Sequence, residues 1–363
     1  MQEERKRILT LVEEGKITSA EALTLLELLE KEQEKKDVKE KEFTNELSTG
    51  VELNEEEKKE QSYQKKVASA KDMFLDLMDS ILTKVKDVDI NVTKNVEINH
   101  IFHHQDVQFE DINIEVANGN VEILTWDQND VKVEIDAKVY RTEDQAEARK
   151  NLLEDITLTI SNNRLIYVIS QKWMRVHSKI FVPKEQYEKV RIRLFNGTVT
   201  GNQLEAKNFK AKTAHGKVSL TELISNEAEI ETANGNIDLT NIAVGKLECE
   251  TFNGAINSQG TFRQADFETF NGAVVVEKFD NEAQSLQVKS VSGAIKVLVP
   301  LGLGIKGDAK SYLGGLHVEV EGLNIIDEKN EVVQKYLTFD SEKDQVLYVK
   351  ADSKTAAVTI VNE

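Results

Sequence analysis

One phrase returns along the second half of this chain and limits what it can fold into. It reads TANGNIDL at 232–239, TFNGAINS at 251–258 and TFNGAVVV at 269–276. Looser copies stand at 194–201, 213–220, 290–297 and 311–318. Their glycines, Gly197, Gly216, Gly235, Gly254, Gly272, Gly293 and Gly314, are spaced 19, 19, 19, 18, 21 and 21 residues apart. A period of this length marks a repeat architecture. Before each glycine the apolar residues hold one parity, as in Ala228, Ile230 and Thr232; after it they hold the other, as in Ile237 and Leu239. Alternation with period two is a half-buried strand. The change of parity is a chain that turns and keeps its apolar face inward, with glycine expected to supply a positive φ at the corner.

Two folds satisfy this pattern. Asn-Gly between alternating strands is a hairpin signal. Alternatively, each unit is one coil of a β-solenoid, and the constant phase favours this reading. Like residues would then stack: Asn196, Asn234, Asn253 and Asn271 in one ladder, Thr213, Thr232, Thr251 and Thr269 in another. Seven coils at about 4.8 Å each predict a rod of ~35–40 Å.

The segment before the repeats divides by composition. Residues 1–32 predict a helical hairpin, with helices over 3–15 and about 19–35, and Leu25, Leu26 and Leu29 on one stripe. So much leucine on so small a unit implies a docking or dimerising face, or packing against the chain's own remainder. Residues 33–67 are dominated by Glu, Lys and Gln and predict a charged, partly helical linker. Residues 68–90 predict an amphipathic helix capping the solenoid, which occupies 91–363. Within it INIEVANGNVEILTW (112–126) is an eighth copy, and 143–156 reads as an inserted helix.

Candidate chemistry is sparse. A net charge of −18 argues against nucleic acid. The single cysteine, Cys249, excludes an internal disulfide and falls on an inward position, which predicts a buried thiol. His100, His103 and His104 offer three imidazoles, but in a β-like stretch rather than on one helix face, so no metal is expected. No nucleotide loop, nucleophile elbow or cofactor motif is present, and the expected reading is not an enzyme. Two rows remain. Four residues before the glycines stand Glu231, Glu250 and Glu268, either an outward polar row or a carbohydrate-binding or acid/base set. Two residues before them stand Phe195, Phe252, Phe270 and Tyr312, either a ligand- or partner-binding stripe or packing inside the corner.

The repeated phrase resembles the adhesin-type β-solenoid family of unknown function. The opening RKRILTLVEEGKITSAEALTLLELLE (5–30) resembles the helical hairpin that precedes such solenoids in Firmicutes envelope-stress proteins of the YvlB and LiaX type. The resemblance implies a non-enzymatic scaffold or sensor in the cell-envelope stress response. LiaX-type members are implicated in sensing membrane-active antimicrobial peptides. The implied partner is a membrane-associated protein of the phage-shock type, with homo-oligomerisation through the N-terminal helices as a further expectation. No transmembrane or signal segment is read in the sequence, so a cytoplasmic, membrane-peripheral location is expected, with surface exposure by an unconventional route left open.

Overall fold

The computed structural model describes residues 2–14, 17–48, 95–331 and 334–363. Two strand ladders face each other across one apolar core. Each coil supplies one strand to each ladder, and the x-Asn-Gly step is the corner between them. In the first ladder Glu205–His215 pairs in parallel with Gln186–Asn196 on one side and Ile224–Asn234 on the other. In the second, Val218–Thr221 lies between Val199–Asn202 and the start of Ile237–Asn253. This is the β-solenoid, not a row of hairpins.

The threonine ladder forms in full, and the asparagine ladder forms over Asn234, Asn253 and Asn271, with His215 standing between Asn234 and Asn196 in the stack. Asn253 donates to the side-chain oxygen of Asn234 at 2.7 Å, and Asn271 to that of Asn253 at 2.8 Å. Thr213, Thr232, Thr251 and Thr269 are buried, and each donates its hydroxyl to the carbonyl of the preceding corner glycine. A buried hydroxyl needs such a partner, and the corner carbonyl supplies it. Cys249 is buried, and burial pushes its thiol well up.

The positive φ expected at the corner is found at Gly197 (145°) and Gly216 (156°), but Gly235, Gly254 and Gly272 have no φ in the left-handed range. What they share is a close approach. A Cβ on Gly254 would lie 1.9 Å from the Gly235 carbonyl oxygen, and one on Gly272 1.8 Å from that of Gly254. Coils stack at this spacing only because each corner lacks a side chain.

Stacking order departs from chain order at both ends. The strand Ser285–Ser290 pairs not with Gly304–Ser311 but with Val346–Ser353, which in turn pairs with Gly304–Ser311. The chain's last coil is therefore inserted beneath the Gly314 coil rather than closing the rod. At the other end Asp111–Asn118 stacks directly on Gln186–Asn196 and Val121–Trp126 on Val199–Asn202, and Arg164–Ile169 with Met174–Pro183 add one further parallel coil beyond them. The chain between these coils pairs antiparallel: Val131–Tyr140 with Asn95–His104 and with Met174–Pro183.

Three helices are described: α1 (Gln2–Glu13), α2 (Ser19–Ser48) and α3 (Gln145–Asp155). α3 is the inserted helix, capped by Asp144 on the Glu147 amide, with Ala148 and Leu152 buried in the solenoid core. It covers the first end of the rod. The expected capping helix at 68–90, and the later part of the linker, lie outside the described residues. α2 continues 13 residues past its expected end at 35. Its inner stripe Leu25, Leu29, Gln33, Lys36, Glu40, Phe43 and Leu47 keeps the 4-3 spacing of one helix face, and all seven are buried or half-buried.

Candidate functional site

α2 lies along the solenoid corner, running from the Gly314 end toward the Gly197 end. Thirty residues at 1.5 Å make a helix of about 45 Å, long enough to cover the ~34 Å that the seven coil steps from Gly314 to Gly197 span. Its first half is anchored by apolar packing. Ile8 of α1 and Ile17, Ala22, Leu25 and Leu29 are buried together, against Leu11, Val12, Leu26, Val291 and Leu313. Arg7 adds two hydrogen bonds to the carbonyls of Thr355 and Leu313. The leucine stripe is thus packed on the chain's own solenoid. Leu9 and Leu23 stay more than half exposed on the other side.

The second half meets the corner through polar and aromatic contacts. Lys36 donates to Asn253 at 2.9 Å and sits 4.8 Å over the Phe270 ring. Lys39 donates to Glu250 at 2.8 Å and lies 4.0 Å from Glu268. Glu40 accepts from Asn234 at 3.3 Å. Phe43 meets Phe252 edge-on, ring centres 6.1 Å apart, and the Lys212 ammonium lies 5.7 Å from the Phe43 ring centre. The solvent-facing ion pair is worth about 0–1 kcal/mol, and the ring and cation contacts about 0.5–1.5 kcal/mol each. This half therefore rests on individually weak polar and ring contacts, where the first rests on buried aliphatic side chains.

Both candidate rows fall here. Phe252 and Phe270 are buried at the corner beneath α2, Phe195 is half-buried with Lys172 over its ring, and Tyr312 is half-buried beside Leu25 and Leu29. The row is neither an open stripe nor interior packing; it is a corner face with a helix laid on it. Glu231, Glu250 and Glu268 are in register on adjacent strands and point outward. With Glu229, Glu248 and Asp266 they line a cleft of about 110 Å³. Each of the three is paired: Glu231 with Lys212 at 2.6 Å, Glu250 with Lys39, and Glu268 with Lys39 and Lys289. The histidines do not converge. His103 pairs with Asp130, while His100 lies on the alternate strand face beside Phe102 and Arg149.

Charge tunes the acidic row. Burial opposes protonation of Lys39, but the Glu250 hydrogen bond and the charges of Glu250, Glu268 and Glu231 outweigh it and hold Lys39 above its ordinary value. Burial raises Glu231 to about 7, with Glu229 adding to the rise and Lys212 opposing it. Glu229 falls to about 2 against its own burial, held ionised by hydrogen bonds from Glu231 and Lys210 and by the charge of Lys212. The two carboxyls thus hold one proton between them. Between pH ~4.5 and ~7 the folded chain binds more protons here than the unfolded chain, so this pair loses stability as pH rises through that window. Glu231→Gln is expected to flatten that fall. The gap in unfolding temperature between the variant and the wild type should widen from pH 5 to pH 7.5. A gap independent of pH would show that Glu231 titrates normally.

A two-ladder coil with glycine corners and an N-terminal helical hairpin defines a class of repeat protein. The chain belongs to the Toastrack DUF4097 family, whose profile matches residues 109–359. A SHOCT-like domain profile matches residues 3–34. The chain is 40% identical over 368 residues to "Uncharacterized protein YvlB" of Bacillus subtilis (strain 168), covering 99% of each. Solved structures with weaker likeness include a "putative adhesin" from Bacteroides fragilis, with 13% identity and TM-score 0.39, covering 73% of this chain and 97% of that one. Another is a "Putative lipid binding protein" from Parabacteroides distasonis, with 13% identity and TM-score 0.40, covering 73% and 96%. Neither family profile nor the YvlB relative names an enzymatic activity. Among the described residues no helix is long and apolar enough to cross a membrane.

Proposed function

We propose that this protein is a non-enzymatic scaffold or sensor of the cell-envelope stress response, binding a membrane-associated protein partner, with the solenoid as the binding surface and the hairpin as the docking element. The observation that carries this reading is α2 itself: an amphipathic helix seated along a repeat surface, the geometry by which proteins commonly recognise helical segments. The helical hairpin and the solenoid whose pairing carries the resemblance to envelope-stress proteins both occur in this chain, in keeping with that reading. The carbohydrate reading is weaker because Glu231, Glu250 and Glu268 each already hold a lysine.

The test is complementation. In a strain lacking the gene and challenged with wall- or membrane-directed agents, the full chain is expected to restore growth, and a chain without residues 2–48 is not. Restoration by the shortened chain, or no growth defect in the deletion strain, would defeat the proposal. Release of reducing sugar from wall polysaccharide by the purified chain would favour the carbohydrate reading instead.

A further inference from the structure

The two halves of α2 differ in a way that mere packing does not require. The first half is apolar and buried; the second presents Gln33, Lys36 and Glu40 where a permanently packed helix would carry aliphatic residues. Under that second half the solenoid offers Ala214, Ala233, Phe252 and Phe270, all buried. Four adjacent coils contribute them, one residue each, so the stripe runs about 15 Å along the corner. Its rim is acidic on one side, with Glu250 and Glu268 meeting Lys39, and amide-lined on the other, with Asn234 and Asn253 meeting Glu40 and Lys36. An apolar floor with a charged rim of this shape is a helix-receiving groove. It is covered by a segment joined to it by polar and ring contacts rather than aliphatic packing, while Leu25 and Leu29 keep that segment nearby.

We propose that the corner stripe Ala214, Ala233, Phe252 and Phe270 is the surface that receives the protein partner. The partner enters as an amphipathic helix carrying a basic side chain and, two turns on, an aromatic one. Residues 33–48 of α2 are its resident stand-in. This deepens, and rests on, the reading of the chain as a scaffold. The partner's basic group takes the place of Lys36 over the Phe270 ring and beside Asn253, and its aromatic ring takes the place of Phe43 on Phe252. The acidic rim fixes the sign of the partner's charge. Because the resident is tethered, it competes at an effective concentration on the order of mM, so the groove stays closed to weak or mismatched helices.

The test uses the purified full chain and a fluorescent peptide of this chain's own residues 29–48. Lys36→Glu with Phe43→Ala in the full chain weakens the resident without altering the groove. The peptide is expected to bind that variant at least ten-fold more tightly than the wild type. A peptide carrying the same two substitutions is expected to bind neither. Hydrogen exchange should show protection lost over residues 33–48 and the corner strands beneath, with the unfolding temperature of the solenoid unchanged. A second variant, with residues 33–48 replaced by a Gly/Ser stretch of equal length, should bind the peptide as tightly. Equal peptide binding to wild type and variants, or no binding to either variant, would overturn the proposal, as would undiminished protection over 33–48 in the doubly substituted chain. This assay needs no cellular partner. A positive result with failed complementation removes the scaffold reading and keeps the groove; the reverse removes the groove alone.

Discussion

Gly254→Ala is expected to break the stack near its middle. The new methyl would sit 1.9 Å from the carbonyl oxygen of Gly235, 2.5 Å from its carbonyl carbon and 3.1 Å from the amide nitrogen of Asn236. All three atoms are backbone, so no rotamer change relieves the contact. Restoring an ordinary separation of ~3.5 Å means parting the coils by more than an ångström. That parting would stretch the bonds joining them, among them Thr251 to the Gly235 carbonyl at 2.9 Å and the Gly235 amide to the Asn253 carbonyl at 3.1 Å. A loss of about 3 kcal/mol or more is expected, the upper end of what overpacking costs. Solenoid stability is a sum over neighbouring coils, so the damage stays local. Hydrogen exchange should quicken in the coils of Gly235, Gly254 and Gly272 before those at the ends. Gly315→Ala is the control: its nearest new contact is the Ala357 methyl at 3.9 Å. Equal unfolding temperatures for the two variants would refute the close-approach account of the corner glycines.

The interior was readable because its rules are local. The parity change at each glycine predicts two inward faces, and the buried residues follow it coil after coil: Ile230 before the corner and Ile237 and Leu239 after it. The Asn and Thr ladders were readable for the same reason, since a constant phase brings like residues together. Stacking order was not readable. Nothing local tells Ser285–Ser290 to pair with Val346–Ser353 rather than with the next strand in the chain. That choice is made by antiparallel returns such as Lys335–Asp340 against Gly304–Ser311, which send the chain back beneath its own last corner.

The candidate surface was half readable. Both rows were found, because they repeat with the coil. Their cover was missed, because residues 33–48 contain too few apolar side chains to show a helical face by hydrophobicity. The signal was present in spacing: Leu29, Gln33, Lys36, Glu40, Phe43 and Leu47 follow each other by 4, 3, 4, 3 and 4. A polar residue at such a position reads as solvated unless its partner is known. Lys36 becomes an inner-face residue only once Asn253 and Phe270 lie beneath it.

Phe267 and Phe252 stand fifteen residues apart and should separate the two kinds of packing. Phe267 is fully buried between Cys249 and Val288 in the stacked ladder, with its ring edge-on to Phe262 at 6.4 Å. Phe262 is itself held by Phe279 at 5.3 Å. Phe267→Ala empties a space walled by strands on both sides, which cannot close without breaking the ladder. A loss of about 3–5 kcal/mol is expected. Phe252 lies at the corner, where one wall is the Phe43 ring on α2. Phe252→Ala leaves a space that α2 can vacate or settle into, so the solenoid should lose roughly half as much. The difference is checked by denaturant titration read through two probes, the solenoid transition and the exchange protection of residues 33–48. Phe267→Ala should move the first and Phe252→Ala chiefly the second. If both substitutions shift the solenoid midpoint equally and leave α2 protected, the corner belongs to the core, and α2 is a fixed part of the fold rather than a separable cover.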